Sequence, residues 1–476
     1  MKNKFAVIAA LMCLTMCLTF APSAWGQWSS NPALNLPLAD NNNGSDQVQP
    51  KLAPLSTHGG YVSWFDANPA TPPPIGYDVI YQRLTEQGFE KFPQGGDMIA
   101  DLSNSSTEDY GLDVDSLGNA LVAFLDTREG PNQQITATKM GPGGQKRWGR
   151  LGVQLTNDSN SHFAPKIAAT TDGGIIVAWT NNNDTVVAQK LNAQGQVQWG
   201  AGVVFSESGY NYLLADLHAA DNGSVIISWV REQGFGSNAI LVANKISTSG
   251  TLLWGSKNVP IFTKGSLQFG NFPYFLPDGS GGAVFAWYTS NPSLQVFAQH
   301  ILADGTPAFP KGGAAVSTDT VDLRVAPSAT YRASTQEVFV FWTEEDSNQF
   351  VNGVYGQKFN STGASQWGDT GRVLVPLGAD TQDFVTAVQV GSGALVFWVD
   401  SAGYSDSTIQ ATRLDDSGAV VCSQFVVSST PSNKYALVAK TAPDDAAALV
   451  WVDDRIGNNG IYIQNVNPNC SLGLPE

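Results

Sequence analysis

The chain has 476 residues, with 25 Lys and Arg against 41 Asp and Glu, a formal charge of −16, and only 14% charged residues. An acidic balance favours solubility and disfavours nucleic acid and anionic membrane surfaces as partners. So few charges beside 48 glycines suit a turn-rich all-β chain better than a helical one.

The first element in chain order is a leader. Lys2 and Lys4 precede an apolar run over 5–20, and Ala24 and Gly26 form a small-x-small pair. That is the n-region, h-region and cleavage-site pattern of a signal peptide over 1–26. The run is short for a membrane span, and Pro22 follows it. No lipobox-like small residue precedes Cys13 or Cys17, so no lipid anchor is expected. Removing the leader leaves 23 basic against 41 acidic residues, a charge of −18, and two cysteines, Cys422 and Cys470. The product is expected to be secreted or periplasmic, without membrane insertion, and monomeric. In an oxidising compartment the two cysteines form a disulfide or stay as separate buried thiols, and the sequence leaves both open.

From residue 27 onward the chain repeats. Eight short apolar runs end in an aromatic residue: "GGYVSW" at Trp64, "GNALVAF" at Phe124, "GGIIVAW" at Trp179 and "GSVIISW" at Trp229, then "GGAVFAW" at Trp287, "EVFVFW" at Trp342, "SGALVFW" at Trp398 and "AAALVW" at Trp451. A second motif, Gly-x-x-x-aromatic, runs in phase from Gly88/Phe92 to Gly363/Trp367, with Gly418/Cys422 as a degenerate copy. Between them lies a strand ending in a basic and an apolar residue, as in "YQRL" at Arg83, "AQKL" at Lys190, "GQKF" at Lys358 and "ATRL" at Arg413.

Each unit therefore reads as four strands, A to D, with tight Gly and Asn turns between A and B and between C and D. The Gly-x-x-x-aromatic residue is expected on strand D. Strand B is apolar on both faces, so both faces must be buried. Four-stranded blades packed face to face in a ring meet that demand, which predicts an all-β, eight-bladed β-propeller with antiparallel blades. The last unit ends after strand C. Residues 27–40 supply the missing strand, since "WSSNPALNLPLAD" matches "WGDTGRVLVPLGAD" at 367–380 in its Trp, its Pro-Leu pair and its closing Asp. The expected organisation is one propeller domain over 27–476, closed by the N-terminal strand completing blade 8.

The pattern W-x-D … aQkL … G-x-x-x-W resembles the repeats of exported bacterial β-propeller proteins, a largely uncharacterised family. The resemblance covers nearly the whole chain after the leader. It implies architecture and carries over no catalytic residues.

The long B–C and D–A loops fall on one face of the ring, where function usually sits on variable loops held by a rigid scaffold. Two residues past the strand B aromatic the units read Asp66, Asp126, Asn181, Arg231, Thr289, Glu344, Asp400 and Asp453. A ring of carboxylates at a channel mouth would bind Ca²⁺ or polyols. An Asp repeated unit after unit is more often a turn device, bonding nearby backbone N–H groups. No cofactor is expected, with Ca²⁺ the one metal such loops would suit. Of four histidines, His300 fills a basic slot, His58 lies in a tight turn and His218 lies in a channel-lining strand. His162, in a D–A loop, is the one placed like a site residue. All twelve tryptophans beyond the leader fill motif positions, so an aromatic platform must use Tyr or Phe, such as Tyr210 and Tyr212.

No G-x-S-x-G, H-E-x-x-H, P-loop or C-x-x-C occurs. The first functional reading is a non-catalytic propeller that binds a protein or glycan ligand on its long-loop face. The alternative is a carbohydrate-active hydrolase or lyase, with loop carboxylates converging at the central channel.

Overall fold

The computed structural model of the chain describes residues 28–474, apart from 41–43, 57–58, 68–75, 105–108, 129, 131, 235, 404 and 443. The leader-like segment and His58 lie outside the described residues. The described residues form eight antiparallel sheets, with one 3₁₀ turn at Asp221–Gly223. Blade 3 is a regular example, with strands A to D at His162–Ala169, Ile175–Asn181, Thr185–Leu191 and Val203–Ser206. The innermost strands A touch one another in sequence all the way round, from Gln47–Pro54 of blade 1 to Lys434–Thr441 of blade 8 and back to blade 1. The architecture is an eight-bladed β-propeller.

In blade 8 the outer strand is Leu36–Ala39. It lies antiparallel to Gly460–Val466, with Leu36 opposite Ile463 and Ala39 opposite Ile461. Strands B are buried along both faces because each blade packs between two others. Leu121 and Ala123 of blade 2, for example, share one apolar cluster with Val177 and Trp179 of blade 3. Trp64, Trp229, Trp287, Trp342, Trp398 and Trp451 are fully buried.

The second motif does not sit where the sequence placed it. In blade 3 the Asn192–Gln196 turn closes with a short bridge, Leu191 to Val197. A loop carrying Trp199 then precedes strand D, which starts at Val203. The aromatic residue is thus a loop residue between C and D, and its work is done between blades. Its ring lies on the motif glycine of the next blade. A Cβ on Gly195 would meet Trp148, one on Gly305 would meet Trp254, and one on Gly418 would meet Trp367. Phe92 on Gly144 and Phe309 on Gly363 follow the same rule. The indole Nε1 donates to the carbonyl two residues before that glycine: Trp148 to Ala193 at 3.1 Å, Trp199 to Thr248 at 3.1 Å, Trp254 to Ala303 at 3.1 Å and Trp367 to Asp416 at 3.3 Å. Trp28 does the same across the seam from blade 8 to blade 1, donating to the Glu86 carbonyl at 2.5 Å with Gly88 beneath its ring.

One seam remains, between blades 7 and 8, and it is closed covalently by the Cys422–Cys470 disulfide. Cys422 stands four residues after Gly418, in the aromatic slot. Cys470 stands in the glycine slot of blade 8. Its N–H bonds the Asn467 carbonyl at 2.8 Å, as Gly363 bonds Asn360 at 3.0 Å, and its φ is +69°.

The C strand motif holds this loop in place. The Oε1 atoms of Gln189, Gln299 and Gln357 accept the backbone N–H of Trp199, Phe309 and Trp367, and their Nε2 atoms donate to carbonyls just beyond. The following basic residue reaches across the tight-turn face. Lys190 bonds Asp172 in its own A–B turn at 2.6 Å and the Thr248 carbonyl of blade 4 at 3.3 Å.

Two predictions follow from these contacts. Trp254→Phe keeps the ring but loses one hydrogen bond, and should cost about 1 kcal/mol in urea unfolding. Gly305→Ala puts a Cβ 2.7 Å from the Trp254 ring at φ +87° and should cost about 2 kcal/mol or more. In the blade 1 turn, burial pushes Glu90 up from 4.5 to about 7, against a hydrogen bond from Gln82 that lowers it. A carboxyl raised on folding contributes fully below its unfolded pKa, and that contribution is lost as pH rises through the folded value. Glu90→Gln should therefore melt above the wild type at pH 8, with the gap closing as the pH falls toward 4.5.

Candidate functional site

The residues two past each strand B aromatic sit at the long-loop end, opposite the first residues of strand A. Most of their contacts lie within one blade, and Asp453 also bonds Ser432 at the end of blade 7. Asp66 accepts from Gln47 at 3.2 Å and Asp400 from Gln382 at 2.8 Å. Asp126 is gripped by Arg128 through two bonds, at 2.9 and 2.7 Å. Asp453, fully buried, takes Ser432 at 2.7 Å, Trp451 Nε1 at 3.0 Å and Arg455 at 2.5 Å, with Lys434 at 3.3 Å. Glu344 takes Trp342 Nε1 at 2.5 Å and Arg324 at 2.7 Å. These side chains lock strand ends. Arg231, the exception to the series, pairs with Glu207 at 2.6 Å and stacks 3.4 Å over Tyr210, so Tyr210 packs within its loop. Tyr212 is buried on strand A, Asn211–Ala219.

His162 is the first residue of a strand A rather than a loop residue. It is buried, with Nε2 3.0 Å from Asp158. His300 pairs with Asp278 at 3.0 Å in the basic slot of blade 5. Asp319, Asp322 and Glu344 bring carboxylate oxygens within 4.8 Å of one another, the one such group among the described residues. The buried Arg324 guanidinium bonds Asp319 at 3.0 Å and Glu344 at 2.7 Å, so a cation of the protein already serves this group.

The uneven part of the ring is its centre. Around the channel the A strands and the loops leading into them carry Lys51 (blade 1), Asp109 and Asp113 (blade 2), Lys166 (blade 3), Asp216 and His218 (blade 4), Tyr274 (blade 5) and Lys440 (blade 8). At the slot of Lys51, Lys166 and Asp216, blades 6 and 7 carry Ser328 and Thr386. Asp109 bridges two blades, taking Lys51 at 2.5 Å and also Lys166. Burial acts to raise its carboxyl, but the two ammonium groups outweigh burial and hold it well below the usual carboxylate range. Lys166 lies 5.1 Å over the ring of Tyr274, reaching past blade 4.

The acids deeper in the channel tie strand edges. Asp113 accepts the N–H of Ala169 at 2.8 Å in blade 3, and Asp216 accepts that of Phe275 at 3.0 Å in blade 5 and His218 at 3.0 Å. Each innermost strand has a free edge, and these bonds satisfy it. Desolvation inside the ring pushes Asp113 up, against those backbone bonds and the charges of His218 and Lys440. Desolvation likewise lowers Lys440, with Asp216 and Asp113 opposing and Lys51 assisting.

Blade 5 departs most from the repeat. Its strand A is broken into Ser266–Leu267 and Phe275–Pro277. The excursion between them displays Phe269, Phe272 and Tyr274, which are 76%, 41% and 63% exposed. The sequence reading passed over this platform, though "SLQFGNFPYF" was a visible signal. It holds four aromatic residues where other units have at most two.

No family model matches the chain, and no curated protein sequence matches it. Among solved structures it is similar to the Dos1 propeller, at 11% identity and a TM-score of 0.50 over 91% of this chain and 95% of that one. It is also similar to the BP39L lectin from Burkholderia pseudomallei, at 12% identity and a TM-score of 0.47 over 78% of this chain and 98% of that one. Prolyl oligopeptidase B from Galerina marginata matches at 11% identity and a TM-score of 0.45 over 86% of this chain, which spans 55% of that protein. At these identities the likeness is one of fold alone.

Removing the Asp109 carboxylate leaves Lys51 and Lys166 facing each other. Asp109→Asn should destabilise the protein by about 2 kcal/mol at pH 7. Because folding lowers this pKa, the stability it provides is present above the unfolded value and lost as pH falls toward the folded one. The gap between variant and wild type should be complete above about pH 5 and close below about pH 4.

Proposed function

We propose that this is an exported, non-catalytic binding protein that takes a glycan at the long-loop mouth of its channel. The observation that carries this reading is the broken innermost strand of blade 5, which exposes Phe269, Phe272 and Tyr274 and sets Tyr274 against Lys166 of the Lys51–Asp109–Lys166 bridge. Sugar rings offer apolar C–H faces for stacking and polar edges for charged partners. Exposed aromatic rings next to fixed charges suit both. The remaining candidates, Asp66, Asp126, Glu344, Asp400 and Asp453, belong to the scaffold under that surface. The leader-like 1–26 segment and the Cys422–Cys470 disulfide support an oxidising, extracytoplasmic setting.

The non-catalytic part rests on the state of the channel acids. Asp109 holds two lysines, and Asp113 and Asp216 hold backbone N–H groups of the next blade. A general acid needs a carboxyl within reach of a substrate oxygen. One observation favours the alternative hydrolase or lyase reading: Asp113 is pushed up by desolvation in a channel with two other carboxylates.

A glycan array probed with the wild type and with Phe272→Ala/Tyr274→Ala tests the reading. The double variant should lose about tenfold or more in affinity, at an unchanged melting temperature. Equal binding by both proteins would remove the platform from the account. Release of product from any array glycan would replace binding by catalysis.

A further inference from the structure

On the opposite, tight-turn face, seven of the eight seams carry a basic side chain from the C strand: Arg83, Lys139, Lys190, Lys245, His300, Lys358 and Arg413. Each reaches an acid of an A–B turn or a neighbouring strand end, a carbonyl of the next blade's C–D turn, or both. Lys190 meets Asp172 and Thr248 O, Lys245 meets Asp221 and Ala303 O, Lys139 meets Asp115, and Arg413 meets Pro468 O. The carbonyls of Thr248 and Ala303 each accept two donors from the preceding blade, the indole of Trp199 or Trp254 and the lysine.

The eighth seam, from blade 8 to blade 1, keeps the acid and the indole but not the cation. Asn465 stands in the lysine slot, opposite Ala448, as Lys190 stands opposite Ile176. Asn465 turns its amide to the Gly473 carbonyl. Its cross-strand neighbour is shortened as well. The residues at the place of Ala448 are Tyr61, Leu121, Ile176, Ile226, Val284, Phe339 and Leu395 in the other blades. Two truncations on adjacent strands leave a cleft that opens to solvent. Trp28, Leu52, Leu84 and Ile463 give it apolar walls. Asp444 stands on the rim two residues into its turn, as Asp172 does in blade 3. The two turns share their closing bonds, Ala442 N–H to Ala446 O at 2.7 Å and Thr170 N–H to Gly174 O at 2.9 Å. Glu86, whose carbonyl takes the Trp28 indole, forms the other side of the rim.

We propose that this cleft is a receptor slot for the lysine side chain of another polypeptide. The butyl stem would run along the apolar walls, and the ammonium would meet the Asp444 carboxylate where Lys190 meets Asp172. The chemistry is argued from the chain's own seams, which fill the same slot with lysine three times among the regular acid-facing copies, at Lys139, Lys190 and Lys245. It does not depend on the glycan reading, because the two surfaces lie on opposite faces.

The test is calorimetric titration with Nα-acetyl-lysine methylamide at low salt, with the norleucine analogue as the uncharged control. The wild type should bind the lysine compound saturably at one site and the norleucine compound not at all. Asp444→Asn should weaken binding by about tenfold, the loss of one charge-assisted hydrogen bond. Asn465→Lys should abolish binding while raising the melting temperature, because it supplies the missing cation internally. Ala448→Ile fills the cleft without charge and should also abolish binding, which covers the case where Asn465→Lys does not fold. Absence of saturable binding to the wild type, or undiminished binding by either filled variant, overturns the proposal.

Discussion

The contact on which the ring depends is an aromatic ring laid on a glycine of the next blade. A propeller blade has a strong internal ladder of hydrogen bonds, but nothing in that ladder fixes its angle to its neighbour. Apolar burial between blades is large and non-directional. The seam contact supplies the direction. The glycine must lack a Cβ for the ring to come down on it, and its positive φ turns the chain so that a carbonyl two residues earlier faces the indole. Five seams use Trp in this way, and two use Phe, which keeps the ring on the glycine without the hydrogen bond. The eighth uses a disulfide between the same two positions, Cys422 and Cys470. A covalent bond replaces the packed pair where neither half of it is present.

Because the scaffold is so regular, its departures carry the functional information. Blade 5 breaks its innermost strand and exposes three aromatic residues at the channel mouth. The slot that holds Lys51, Lys166 and Asp216 in blades 1, 3 and 4 holds the uncharged Ser328 and Thr386 in blades 6 and 7. The seam from blade 8 to blade 1 gives up its cation and opens a cleft. By contrast, the repeated acids two past the strand B aromatic hold strand ends: Asp66 and Asp400 bond across to strand A, and Asp126 and Asp453 accept the N–H two residues on. They recur because every blade has the same strand end to secure.

The fold was legible because strand B is apolar on both faces and recurs in four-strand units, which face-to-face blades in a ring bury. The aromatic of the second motif was legible as a repeated residue but not as an inter-blade one. A repeat shows that a position is constrained, not whether its partner is in the same unit or the next. His162 was misplaced by one boundary, since the chain enters strand A earlier than "SNSHF" suggests. The channel cluster could not be read from sequence, because Lys51, Asp109, Lys166 and Lys440 are brought together only by ring closure. The pairing of Cys422 with Cys470 was left open for a similar reason. Only the position of each within the seam motif makes them partners.

The equivalence of the disulfide and the aromatic–glycine pair is the most exposed claim in this account. Thermal unfolding of Cys422→Trp/Cys470→Gly, compared with Cys422→Ser/Cys470→Ser and with the oxidised wild type, tests it directly. The double serine variant should lose about 2–4 kcal/mol, the usual worth of such a crosslink. The Trp–Gly variant should recover at least half of that loss and be insensitive to reductant, because it rebuilds the contact used at the other seams. A Trp–Gly variant no more stable than the double serine variant would contradict the claim.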